Sequence, residues 1–222
     1  MGAWSRGIRR RGLILTGLAC LSFWGKMPPA QAGDFQVWTE LKYSHTFKPS
    51  HFTLRWASEN RFRDTATEHF TFNTTLGFDY AFLNWFSLGP YYRYEKKRGN
   101  PGENRPFVEV VFKTPWKALR IQDRQRYEIR IFPDDTRFRF RNRIKLSHYF
   151  GERPVSYTPF VQDEIFVEQG HGFNENRLDV GNSFGVWQDR LSFTLYYRWQ
   201  RKESGGSWEN NHILGTALGV HY

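Results

Sequence analysis

Cysteine is almost absent. The single residue of that type, Cys20, lies within the first 32 positions, so neither a disulfide framework nor a cysteine metal site can organise the rest of the chain. Long apolar runs are also missing. The longest, Gly12 to Trp24, is 13 residues, too short for a helix across a bilayer core of about 30 Å, which takes about 20. A bundle of membrane-spanning helices is thereby excluded. Beyond residue 32 no segment carries a 3.6-residue hydrophobic period, which removes the helical fold classes. Disorder is excluded by what is plentiful: aromatics make up 18% of the 222 residues, and disordered segments are aromatic-poor.

The first 32 residues read as a cleaved secretory signal peptide. Arg6, Arg9, Arg10 and Arg11 precede the apolar run, and Ala30-Gln31-Ala32 offers small residues, Ala30 and Ala32, where a signal peptidase reads them. Cleavage there makes residues 33–222 one mature domain beginning at Gly33. A lipoprotein reading of Cys20 fails at Gly17, where leucine is wanted, and a twin-arginine reading of Arg10-Arg11 fits the following residues poorly. The leader carries five basic residues and no acid. Without it 27 basic residues face 22 acidic ones, so the balance of +10 falls to a mild +5. Secretion and the interleaved phenylalanines argue against a nucleic-acid partner.

From Asp34 to Tyr222 the period is two. Arg137, Arg139, Arg141, Arg143 and Lys145 alternate with Phe138, Phe140, Asn142 and Ile144; Arg124, Arg126, Glu128 and Arg130 alternate with Gln125, Tyr127 and Ile129. This is strand patterning with one polar and one apolar face. Candidate strands fall near 34–47, 52–63, 67–82, 85–96, 105–114, 118–132, 136–149, 157–168, 174–186, 190–201 and 209–222. Several exceed the usual globular length of about 5–6 residues and suit an oblique membrane crossing. The expected fold is all-β: a transmembrane antiparallel up-and-down β-barrel of about 10–12 strands. A soluble lipocalin-like barrel is the rival, and it assigns the faces oppositely, with the arginines outside.

Aromatic residues beside alternate turns favour the membrane. Phe47, Trp85, Trp116, Tyr149, Phe150, Trp187 and the terminal Tyr222 form an interfacial girdle, assigned to the periplasmic rim. The other turns, Arg63–Glu68, Lys97–Asn104, Pro133–Asp135, Glu168–Asn176 and Lys202–Asn210, are more polar and mostly longer, as extracellular loops are. The last strand, ending in Tyr222 with apolar residues at alternate positions, resembles the signal read by the bacterial barrel assembly machinery. The localisation that follows is the bacterial outer membrane, with its lipid and lipopolysaccharide as partners.

Charge on the lipid face costs about 2–4 kcal/mol for each Arg or Lys at midplane. The hairpin at Pro133–Asp135 therefore needs an even loop, which places both basic rows inside. A four-residue loop, Pro133 to Thr136, would set Glu128 opposite Arg141. The expected lumen charges are Arg124, Arg126, Glu128, Arg130, Arg137, Arg139, Arg141, Arg143, Lys145 and Glu164, and some of Glu59, Asp79, Glu109, Glu168 and Asp179 should join them. Such a wall either plugs a narrow barrel with ion pairs or lines a pore that favours small anions. In a third reading the outermost Arg130 and Arg137 meet lipopolysaccharide phosphates.

For a lipid-acting enzyme, a serine and a histidine must share a face. Ser44-His45 and Ser147-His148 are sequence neighbours and point to opposite faces; His69 and His212 are left as lumenal or rim residues. No catalytic residue, metal site or cofactor is assigned, since Asp134-Asp135 reads as turn chemistry.

Several short motifs recur in order: Arg61-Phe62-Arg63, Leu76-Gly77-Phe78-Asp79-Tyr80, Gly89-Pro90-Tyr91-Tyr92-Arg93-Tyr94, Arg137-Phe138-Arg139, Asp163-Glu164-Ile165-Phe166 and Asn176-Arg177-Leu178. Together with Arg124–Arg130 they resemble an uncharacterised bacterial family, the domain of unknown function 2490. The resemblance implies a bacterial outer-membrane barrel and brings no catalytic residues. The expected function is a narrow or gated, porin-like channel with a basic lumen. The alternatives are a phospholipase or lipid A deacylase type of barrel enzyme, and a closed structural or lipopolysaccharide-binding barrel.

Overall fold

The computed structural model describes residues 31–222 other than 117, 153 and 154. The expected signal peptide up to Ala30 lies outside the described residues, whereas Gln31 and Ala32 already stand on the first strand, in register with Glu209 and Asn210. The strands are β1 (Gln31–Phe47), β2 (Phe52–Arg63), β3 (Glu68–Leu83), β4 (Phe86–Lys97), β5 (Gly102–Trp116), β6 (Leu119–Ile131), β7 (Thr136–Ser147), β8 (Phe150–Glu152), β9 (Val155–Glu168), β10 (Gly172–Val186), β11 (Leu191–Ser204) and β12 (Ser207–His221). Each long strand pairs with its chain neighbours, β7 with β9, while the three-residue β8 folds back on the start of β9.

Closure comes from β1 lying against β12, so eleven long strands surround the lumen. An odd number of alternating strands leaves the first and last running the same way. The β1–β12 pair is accordingly parallel, from Gln31 opposite Glu209 to Ser44 opposite His221. All other long pairs are antiparallel. The ladder has no open edge, which satisfies the backbone without water, as a spanning structure requires.

The faces decide between the two barrels. Leu41, Trp56, Leu76, Phe78, Phe138, Val180, Leu195 and Leu218 all point outward and are exposed. The arginine rows point in, where Arg105, Arg126 and Arg141 are buried. A soluble barrel would have it the other way round. With strands of 12–17 residues, the apolar outer band is long enough for the height of about 25 Å that lipid demands.

Phe47, Trp85, Trp116, Tyr149, Phe150, Trp187 and Tyr222 all lie at one rim and are all exposed. Rings stack between them and the wall: Phe150 on Tyr157 at 4.6 Å, Trp85 on Phe112 at 6.3 Å. The expected long loops at the other rim are corrected by the structure. There the strands continue almost to the turns, because Glu175, Lys202 and Glu209 still pair in the ladder. The longest gap between long strands, from Ser147 to Val155 and carrying β8, is instead at the aromatic rim.

Small and large residues alternate inside, as the taper of a barrel requires. Tyr196 is flanked across the strands by Gly181 and Gly215, and a Cβ on Gly215 would come within 2.0 Å of the Tyr196 ring. Gly77 makes the same room for Tyr91. Replacing Gly215 with alanine should destabilise the barrel by about 1–3 kcal/mol through overpacking. The temperature at which the folded form loses its altered gel mobility measures this, and an unchanged transition would show that Tyr196 has free space to move.

Candidate functional site: a charged lattice across the lumen

The β6–β7 hairpin turns over residues 132–135, closed by the Phe132 amide donating to the Asp135 carbonyl at 2.8 Å. The loop is even, so the two basic rows do share the inner face. The register is nevertheless displaced by two residues from the expected one: Glu128 stands opposite Arg139, and Arg141 opposite Arg126. The turn begins at Phe132, and Thr136 remains in the ladder opposite Ile131. Glu128 still reaches Arg141 diagonally, at 3.0 Å, beside its 2.5 Å contact to Arg139.

This register sets like charges against each other, Arg124 against Arg143 and Arg130 against Arg137, an unfavourable arrangement on one sheet face. Carboxylates from the neighbouring strands relieve it. Glu109 of β5 accepts from Arg126 at 2.5 Å and lies 3.5 Å from Arg124. Glu164 of β9 accepts from Arg124 at 2.5 Å and takes both oxygens to one Arg141 nitrogen at 2.9 Å. Arg126 approaches Glu128 at 3.4 Å. The contacts close a ring in which charge alternates: Glu109, Arg126, Glu128, Arg141, Glu164, Arg124, and back to Glu109.

Beyond the ring, towards the polar rim, Arg130 is held by Glu103 at 2.7 Å and by Glu168 at 2.6 Å. Its guanidinium is thus taken up within the lumen, which corrects the reading that placed it at lipopolysaccharide. Arg137 is more open, with a side chain 42% exposed beside Asp135. Arg105 links Glu103, Glu95 and Glu128. Across the barrel, Arg198 binds Asp179 through two 2.7 Å hydrogen bonds, Arg61 binds Glu59 at 2.6 Å and Arg177 binds Glu175 at 2.5 Å. Glu59, Asp79, Glu109, Glu164, Glu168 and Asp179 all take part on the inner side.

Two aromatic rings bind the halves together. Trp38 of β1, 2% exposed, carries the guanidiniums of Arg61 at 3.9 Å, Arg198 at 4.8 Å and Arg177 at 5.2 Å. Phe166 of β9, 1% exposed, meets Arg141 and Arg177, each at 4.5 Å. Arg177 therefore touches rings from opposite sides of the lumen and bridges the gap. Such cation–π contacts are worth about 0.5–2 kcal/mol each, more when desolvated.

Several inward cations stand apart, Lys113 and Lys202 near the two rims among them. Arg93, Arg143 and Lys145 have no carboxylate in ion-pair contact among the described residues; Arg143 leaves its Nε without a hydrogen-bond acceptor, and Lys145 rests on the Phe160 ring at 4.1 Å. Arg143 and Lys145 lie between the ring of six and the aromatic rim. Among the described residues no cluster of three or more metal-binding side chains forms.

Residues 35–211 match the model of the family described as Protein of unknown function (DUF2490). The chain belongs to this family. No curated protein matches the chain. Among solved structures, LpxR from Salmonella typhimurium is similar at 10% identity, covering 76% of this chain and 83% of that one with a TM-score of 0.46.

One inner polar cluster joins residues far apart in the chain, which no local spacing in the sequence reveals. His221 binds Ser44 through Nδ1 at 2.8 Å and Ser192 through Nε2 at 2.9 Å. Ser44 and His221 are 177 residues apart and meet only because β1 closes on β12; inward parity was their one shared signal. His69 and His212, by contrast, are exposed on the outside against Asn60 and Tyr197.

Glu128 is the carboxylate on which the ring turns. Changing Glu128 to Gln should cost about 3–5 kcal/mol, because Arg139 and Arg141 lose a buried counter-charge, whereas Arg137 to Gln at the open end should cost under about 1 kcal/mol. Urea unfolding in detergent measures both, and equal effects would refute a buried lattice.

Proposed function

We propose that the protein is a bacterial outer-membrane barrel, closed at rest by its Arg–Glu ring, that passes small anions when the ring opens. The observation that carries this reading is the combination of a closed ring with inward cations that no carboxylate contacts among the described residues, Arg93, Arg143 and Lys145 among them. The ring blocks; the free cations set the sign of what passes. Basic linings select anions because the local potential raises anion concentration and repels cations. The outward apolar face supports residence in lipid, and the aromatic rim with Tyr222 at its end supports a periplasmic position for that rim. Outer-membrane lipid and lipopolysaccharide would then surround the wall, and the terminal strand would be read by the barrel assembly machinery.

A closed structural barrel is the second reading, favoured by how completely the ring carboxylates are paired. The two differ in what loosening the ring does. The mature chain, refolded and placed in a planar bilayer under a salt gradient, should be nearly silent at low voltage. Glu164 to Gln should produce frequent openings with an anion-selective reversal potential, and adding Arg143 to Gln and Lys145 to Gln should weaken that selectivity. Steady large conductance of the unaltered protein would refute the closed resting state, and silence of every folded variant would establish the structural reading.

A further inference from the structure

The Ser44–His221–Ser192 cluster lies on the inner wall at the aromatic rim, between that mouth and the ring, and takes no part in the charged lattice. Its backbone is fixed on both sides of the closing seam. The His221 amide donates to Arg190 at 2.8 Å, the Tyr222 amide to Ser44 at 2.9 Å, and the Thr46 amide to Tyr222 at 2.7 Å. Both imidazole nitrogens are engaged by hydroxyls. A neutral imidazole has one N–H and one lone pair, so in either tautomer one serine must direct its O–H at the free nitrogen. That is the arrangement of a hydroxyl poised to give up its proton to a base, with a third group orienting the base.

Burial separates the two serines. Ser44 is 9% exposed and suits the orienting place, accepting from Nδ1–H. Ser192 is half-buried and suits the nucleophile, donating to Nε2. The cross-strand row of Ser192 runs through Gly185 on one side and Gly219 and Lys42 on the other. Gly219 is what lets the pair converge, since a Cβ there would come within 2.4 Å of Ser192 Oγ and 2.7 Å of His221 Nε2. Lys42, with a side chain 46% exposed and paired with Glu40 at 2.8 Å, lies in that row, and Arg55, paired with Asp79, stands opposite Ser44.

We infer that Ser192 is the nucleophile of a serine hydrolase site acting on carboxylic esters that enter from the aromatic rim. Ser192 Oγ attacks the ester carbonyl carbon as its proton passes to His221 Nε2, and the carbonyl oxygen takes up the negative charge. Collapse breaks the bond to the alcohol oxygen, which receives the proton from His221, leaving acyl-Ser192. Water then attacks the acyl carbon, gives its proton to His221, and the acid departs as Ser192 Oγ takes that proton back. Ser44 is a positioning residue: it holds the tautomer and touches no substrate.

This inference is independent of gating, and its test does not involve conductance. The refolded mature barrel is incubated in detergent with a fluorophosphonate, its folded state verified by heat-dependent gel mobility, and the adduct located by peptide mass. One adduct on Ser192 is expected. His221 to Gln should slow labelling by about 10²–10⁴-fold; Ser44 to Ala should slow it about tenfold, with Ser44 to Thr restoring it, a rescue that mere seam packing would not produce in a labelling rate. An unlabelled folded barrel, or an adduct at another serine, overturns the assignment even if the His221 variant does not fold.

Discussion

A barrel in lipid has its apolar residues committed to the outside, and with a period of two every second position must then go inside. In this chain those positions are filled with arginine and glutamate, in a space too narrow to hydrate each separately. Buried charge is tolerable only when paired and hydrogen-bonded, and this requirement orders the rest of the interior. Two neighbouring strands bring arginine against arginine with only Glu128 between them, so further compensation comes from the strands outside that pair: Glu109 on one side and Glu164 on the other. The ring of six is the result. Its members come from four adjacent strands, which makes it a check on register as well as a barrier. A slip of one residue anywhere from β5 to β9 would turn a charged row towards lipid.

The alternation of Arg137, Arg139, Arg141 and Arg143 with phenylalanine and isoleucine is local, and for that reason the faces and the eleven long strands were legible in the sequence. The hairpin parity was legible too, because the cost of arginine in lipid excludes odd loops. The register was not: Pro133–Thr136 and residues 132–135 are both four-residue turns, and the Phe132 amide settled between them. Loop lengths misled because Glu175 and Glu209 look like loop residues yet pair above the apolar band. The least legible feature was closure. Which strand meets β1 depends on the number of strands, and only with the parallel β1–β12 seam do Ser44 and His221 become neighbours.

The ring also separates two kinds of inner surface. From the ring to the polar rim nearly every charge has a partner, and movement of one side chain disturbs several others. Between the ring and the aromatic rim ion pairs persist, Arg55 with Asp79 and Lys42 with Glu40 at 2.8 Å, but Arg143 and Lys145 have no carboxylate in contact, and Lys145 rests on the Phe160 ring. One barrel thus carries a rigid lattice and a loosely compensated basic mouth.

The composition of the lattice bears on its purpose. Replacing a buried ion pair with well-packed apolar residues is often neutral or stabilising by about 1–4 kcal/mol. A lumen that needed only to be filled is therefore served at least as well by aliphatic side chains, as Val111, Ile213 and Ala217 fill theirs. An apolar plug, however, has a single state. Arginine and glutamate in a ring can exchange partners: Arg126 already contacts Glu109 and Glu128, and Arg124 contacts the same Glu109 and Glu164. Each guanidinium has five donors, so one contact can break while others hold. Alternative pairings of similar energy are what a gate requires, and Arg177, lying between Trp38 and Phe166, is the member whose displacement would part the two sides of the lumen.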